Sequence, residues 1–306
     1  MFLSLYRFGF YKIPAIVVFT LLLFGCQETY RQKGSPEYIS EINTWHQQRI
    51  ENLKKSNGWL NLIGLYWLNE GENSFGSDSS NDIVFNSSNI APFMGVLTLN
   101  KGVITIKVNT DIEITSNNEP VTEMILNSDQ SGEPTLLNHG TLQWFIIKRE
   151  NKFGVRVRDF EAELIKTFTG IDRYPVNEDW RIEAKFVPYI PPKKISVPSI
   201  IGTVSESECY GKLEFEKDGG IYTLEPLGKD YLFLVFADQT NGIDTYGAGR
   251  FLSVDPPDST GITYIDFNKA YNPPCAFSKF ATCPLPPKEN YLKLEVTAGE
   301  KKYGDH

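Results

Sequence analysis

Histidine is scarce in this chain: three occur in 306 residues, and one of them, His306, is the last residue. A nucleophile that needs an imidazole base therefore has only His46 and His139 to draw on within the body of the protein. Nor is there a block of lysine and arginine. The formal charge is −8, and an acidic surface repels phosphate backbones, so nucleic acid is not an expected partner. No Gly-x-Ser-x-Gly elbow, His-Glu-x-x-His pair or Walker loop occurs anywhere. No repeat at a solenoid period is present, and no cofactor is expected. Cysteine is limited to four residues: Cys26, Cys209, Cys275 and Cys283.

What is there begins with an apolar leader. Arg7 and Lys12 precede an apolar run from Ile13 to Phe24, followed by Gly25 and Cys26. That run is short for a transmembrane helix and has the layout of a secretion signal over residues 1–25. Leu23, Phe24, Gly25 and Cys26 resemble a bacterial lipobox, in which the cysteine carries lipid and becomes the first mature residue. The expectation is a protein of the cell envelope, outside the cytoplasm, held to a membrane through Cys26. Residues 26–36 then form a polar tether.

One helix is legible, over residues 37–57. Ser35 can cap it, Pro36 suits its first position, and Ile39, Ile42, Trp45, Ile50 and Leu53 recur at helical spacing up to Gly58. Beyond Gly58 the period changes to two. "GVLTLNKGVITIKV" reads as a hairpin turning at Lys101 and Gly102, "TLQWFIIKRENKFGVRVRD" as another, and "KLEFEKDGGIYTLEPL" as a third. "DYLFLVFAD", "RFLSVD" and "YLKLEVTA" read as further strands. The fold class is mostly β: a first β unit over 58–165, then prolines at 175, 188, 191, 192 and 198 that interrupt the pattern, then a second sandwich or barrel over 175–303.

"GENSFGSDSSNDIVFNSSNIAPFMGVLTL" with the strands after it resembles a forkhead-associated domain, through Gly76, Asp82, Ile83, Val84, Asn118 and Gly140. It departs from that family where phosphothreonine is read: Ser77 stands in place of the arginine, and "APFMG" in place of Ser-Arg-x-His. The resemblance implies a sandwich that does not bind phosphothreonine peptides. Across Trp45 to Lys302, "GWLNLIGLYWLNEGENSFGS", "FADQTNGIDTYGAGRFLSVD" and "DFNKAYNPPCAFSKFATCPLPPKENYLKLEVTAGEK" resemble the family known as domain of unknown function 1684. That resemblance implies kinship without implying an activity.

The residues then have to be read for themselves. Arg250, between Gly249 and Phe251, reads as a buried strand arginine in need of a carboxylate, and Asp266 is an available partner. Asn268, Lys269, Tyr271 and Asn272 precede Pro273 and Pro274, which stiffen a presented loop. Arg250, Asp266, Asn268, Lys269, Tyr271 and Asn272 are therefore the expected ligand-binding set, for a small molecule or an envelope partner. In an oxidising compartment a disulfide between Cys275 and Cys283 is the first expectation, with about 2 to 3 kcal/mol of stabilisation. The alternatives are a Cys275 nucleophile and two thiols that pack or sense redox state. No metal site is expected, because two thiolates lack the histidine or second cysteine pair of a zinc centre. Three functional readings stay open: a binding module, a hydrolase using Cys275 or Asp266, and a structural lipoprotein that scaffolds partners through its aromatic surface.

Overall fold

The computed structural model describes residues 30–87 and 90–304. The leader, Cys26, the first residues of the tether and His306 lie outside them.

Helix α1 (Pro36–Lys54) starts where the capping chemistry places it: the Ser35 hydroxyl oxygen accepts from the backbone N–H of Tyr38, and Pro36 needs no partner for the N–H it lacks. Its buried face is Tyr38, Ile42 and Leu53.

Two sheets follow. One has five strands in the order Ile83–Val84, Gly71–Gly76, Gly95–Asn100, Val103–Val108 and Glu123–Leu126. The other has six, in the order Leu62–Trp67, Lys152–Asp159, Leu142–Arg149, Leu137–His139, Thr115–Ser116 and Glu119–Pro120. Their inner faces share one core: Phe75, Leu97 and Ile106 from the first sheet meet Trp144, Ile146 and Val155 from the second. This is the sandwich that the forkhead-associated resemblance implies. Ser77 is tied internally, its hydroxyl donating to the carbonyl of Ile90 at 2.9 Å.

The hairpin turns fall at the expected residues. Lys101 and Gly102 take φ of 48° and 86°, and Asp218 and Gly219 take 50° and 77°. Two consecutive left-handed residues match the twist of the flanking strands.

The C-terminal half holds a four-stranded sheet, Gly220–Leu224, Val204–Lys217, Arg181–Pro198 and Ile262–Asp266, and a two-stranded ribbon of Leu232–Phe236 and Arg250–Val254. The prolines do not end the strand they occupy. Arg181–Pro198 runs through them because its register skips between Pro188 and Lys193, so Pro191 and Pro192 sit where no ladder N–H is required. "YLKLEVTA" departs from expectation in another way. Leu292, Leu294, Val296 and Ala298 are buried alternately, as in a strand, yet the segment joins no sheet. Its first half bonds the main chain of residues 237–239, with the Leu292 N–H donating to Ala237 and the Gln239 N–H to Leu294, and beyond that side chains bond Val296 and Ala298, as described below.

From Arg31 onward the chain folds as a single unit. A third apolar cluster ties its parts together: Leu53 of α1, Leu60, Phe168 and Ile171 pack with Tyr246, Ala276 and Phe277. Among the described residues, no helix is long and apolar enough to cross a membrane.

Candidate functional site: the Cys275 cleft

The six residues expected to bind a ligand do not converge. Arg250 is fully buried, and its partner is Asp238, at 2.7 Å, rather than Asp266. The ribbon explains the choice. Arg250 opens the strand opposite Phe236, and Asp238 lies just beyond Phe236 on the facing chain. The same guanidinium donates to the carbonyls of Val296, at 3.0 Å, and Ala298. Asp238 in turn accepts from the N–H of Val296, at 3.2 Å, and from Thr240. The ion pair thereby supplies the backbone bonds that a neighbouring strand would have given to Val296 and Ala298. Gly249, at φ 91°, makes this approach possible, since a Cβ there would lie 2.7 Å from the carbonyl oxygen of Phe236.

The remaining polar residues of the loop form the seat of α1. Asp266 accepts from the Tyr38 hydroxyl at 2.8 Å, and Asn268 donates to the same hydroxyl at 2.9 Å. Burial and the Asp266 charge push the Tyr38 phenol far above its ordinary range. Lys269 pairs with Glu41 at 2.7 Å, and that bond holds the Glu41 carboxyl below its ordinary value. Arg49 stacks on the ring of Tyr271, 4.7 Å from its centroid, and donates to the carbonyl of Asn272 at 2.9 Å. The Asn272 N–H donates to Glu300 at 2.7 Å. Burial raises the Glu300 carboxyl pKa, against the pull of Arg49. Asp266 and Lys269 also line a polar groove of about 380 Å³, shared with Arg181, Asp255, Asp258 and Tyr264.

The seat has a second effect, because anchoring Asn272 and stiffening Pro273 and Pro274 sets the position of Cys275. The expected disulfide is not formed: Cys275, Cys283 and Cys209 are free thiols. Cys275 and Cys283 nevertheless lie against each other, with the Cys275 backbone N–H donating to the Cys283 sulfur at 3.1 Å. Cys275 is partly exposed and lines a cleft of about 390 Å³ with Ile200, Ile201, Tyr246, Phe277, Lys279 and neighbouring residues. Hydrogen bonds from the Cys283 thiol and the Tyr246 hydroxyl lower the Cys275 pKa, outweighing its burial. The same contact, together with burial, drives the Cys283 pKa up. Burial raises the Tyr246 phenol as well, helped by the nearby Cys275 sulfur.

Behind Cys283 stands Arg156, which the strand pattern alone did not single out. Alternation puts its side chain on the outer face of its sheet, but residues 281–283 cover that face. It is 4% exposed, donates to the Thr282 hydroxyl at 3.3 Å, and lies over Trp59. Desolvation brings its pKa down to about 10, which leaves it charged at neutral pH. Tyr246, Arg156 and Cys275 come from three separate parts of the chain, and no local spacing links them.

Neither body histidine serves this cleft. His46 bonds the carbonyl of Ile171 at 3.2 Å, and His139 that of Glu113 at 2.7 Å. Cys209 is buried, and its thiol donates to the carbonyl of Gly211, so it packs inside the protein.

A family model described as "Protein of unknown function (DUF1684)" matches residues 166–301, so the match begins well after Trp45. Among solved structures, a solution NMR structure of an uncharacterized protein of Haloarcula marismortui is 32% identical, over 45% of this chain and 80% of that one, with a TM-score of 0.38. The FhaA FHA domain, crystallised in a complex, is 17% identical over 31% of this chain and 97% of that one, with a TM-score of 0.22. EmbR of Mycobacterium tuberculosis, in complex with a low affinity phosphopeptide, is 12% identical over 40% of this chain and 31% of that one, with a TM-score of 0.21. A comparison with curated proteins finds no match.

Proposed function

Through residues 166–301 the chain belongs to the family of proteins of unknown function 1684, and on that premise we propose that it is a lipid-anchored, extracytoplasmic module that binds a small amphipathic molecule in the Cys275 cleft. The lining of the cleft carries this reading. Ile200, Ile201, Phe277 and Ala281 offer an apolar body, while Lys279 at the mouth and the Tyr246 hydroxyl are its polar ends. At about 390 Å³ the space lies within the range of small-ligand sites. The ligand class that fits is a short acyl chain, or an apolar body of similar size, carrying one anionic group toward Lys279.

A hydrolase is supported less well. Cys275 has a phenol and a thiol beside it, and neither can act as a general base for water at neutral pH. Asp266, the other hydrolytic candidate, is occupied in holding Tyr38 and Asn268.

Decanoate tests the ligand class. Titration should give saturable binding, abolished by Ile201→Trp, which fills the cleft, and weakened about tenfold by Lys279→Glu, equivalent to ~1.4 kcal/mol. Non-saturating behaviour in the wild-type protein rules out the class. The anchor rests on the residues around Cys26 and is tested separately: Cys26→Ser should release the protein from the membrane fraction and abolish its labelling by radioactive fatty acid. Continued membrane association and labelling of Cys26→Ser contradicts an anchor at that residue.

A further inference from the structure

We propose that Cys275 and Cys283 form a thiol–disulfide exchange centre, in which Cys275 attacks a low-molecular-weight disulfide entering the cleft and Cys283, buried behind it, resolves the product. This goes beyond the ligand-binding reading and does not depend on it.

Four observations carry the assignment. Cys275 lines an open cleft, as an attacking sulfur must, whereas Cys283 is 4% exposed and out of reach of a bulky reagent. The two cysteines share one apolar cluster with Val235, Phe251 and Ala281, and the Cys275 N–H points at the Cys283 sulfur. The Asn272 anchor and Pro273 and Pro274 brace the loop on one side, and Pro284 follows Cys283 directly on the other, so both sulfurs are held near each other in the reduced state. Arg156 places a buried cation beside Cys283. The direction of the thiol shifts agrees with this division of labour, since the exposed cysteine is the more acidic of the two.

The chemistry balances in two steps. The Cys275 thiolate attacks one sulfur of RS–SR, forming Cys275–S–SR and expelling RS⁻. The Cys283 thiol then loses its proton to the expelled RS⁻, and the resulting thiolate attacks the Cys275 sulfur. A Cys275–Cys283 disulfide forms and the second RS⁻ leaves. Two protein thiols are oxidised, one external disulfide is reduced to two thiols, and the reverse sequence reduces the protein. Losing the Cys283 proton requires its elevated pKa to fall. Once Cys275 is in the mixed disulfide, the neighbouring negative charge is gone while the Arg156 charge remains.

Oxidised glutathione is the probe, applied to pre-reduced full-length protein and followed by intact mass after acid quenching. Wild-type should lose the mass of two hydrogens and release two glutathione molecules per chain. Cys283→Ser should stop at one glutathionyl group on Cys275, and Cys275→Ser should remain unmodified on the same timescale. Arg156→Met should let the mixed disulfide accumulate by slowing the second step, while leaving the first unchanged. Folded wild-type protein that stays fully reduced, or Cys283→Ser that gains no glutathionyl group, overturns the proposal. If a serine variant loses its fold, wild-type protein quenched early with N-ethylmaleimide and mapped by peptide decides the matter. Glutathionylation first at Cys275 supports the centre, and first modification at Cys209 or Cys283 overturns it.

Discussion

At the scale of single residues the costliest arrangement is a guanidinium and a carboxylate with no exposure at all. Arg250 and Asp238 have left water together, and their pairing is worthwhile because the bonds they make go to backbone the fold needs, although the Arg250 Nε is left without a partner. Removing one partner leaves the other charged and buried. Arg250→Met should therefore destabilise the protein by about 3 to 5 kcal/mol in urea unfolding, with part of the loss recovered in the Arg250→Met/Asp238→Asn double variant. A cost below ~1 kcal/mol would show that the pair does not hold residues 296–298. The burial of Arg250 was legible in the sequence, since it stands between Gly249 and Phe251 at the start of a strand. Its partner was not. Asp266 and Asp238 are both near in sequence, and only the pairing of Phe236 with Arg250 across the ribbon selects between them.

At the scale of elements, α1 and the loop that follows Asp266 form one structural feature. Polar side chains on a proline-braced loop look, in sequence, like a surface prepared for a ligand. Here the occupant is the protein's own helix, which brings Tyr38, Glu41 and Arg49 to meet Asp266, Lys269 and Asn272. A cap at Ser35 and apolar residues at helical spacing made the helix itself readable, because those signals are local. Its docking partners lie more than two hundred residues away, and no local rule connects them. Ile42 is fully buried and clusters with Val176 and with Tyr38, whose hydroxyl meets Asp266 and Asn268. Ile42→Ala should cost about 2 to 5 kcal/mol, and amide hydrogen exchange should accelerate in α1 and in residues 266–272 together. Faster exchange confined to α1 would mean that the loop holds its shape without the helix. Hairpins were the most readable elements, as turn residues such as Lys101–Gly102 and Asp218–Gly219 act within four positions. The segment "YLKLEVTA" misled for the opposite reason. Alternating burial identifies a half-buried extended chain, but it cannot reveal whether a strand or a pair of side chains satisfies the backbone.

At the scale of the whole molecule, two β cores and an N-terminal helix enclose a third cluster, and the Cys275 cleft opens beside it. Mostly-β architecture and the helix could be inferred from period and composition, and the first sandwich from the forkhead-associated resemblance. The cleft could not, because it is made by the turn at Ile200 and Ile201, the loop carrying Tyr246 and the loop of residues 275–281, which only the tertiary fold brings together. On our proposal, ligands enter this cleft and not the polar groove at Asp266 and Lys269. Methyl chemical-shift mapping during a decanoate titration tests it most directly, with isoleucine and alanine methyls labelled. Ile200, Ile201 and Ala281 should shift and saturate together while Ile262, in the polar groove, stays still. Saturable shifts centred on Ile262, with the cleft methyls unmoved, would contradict it.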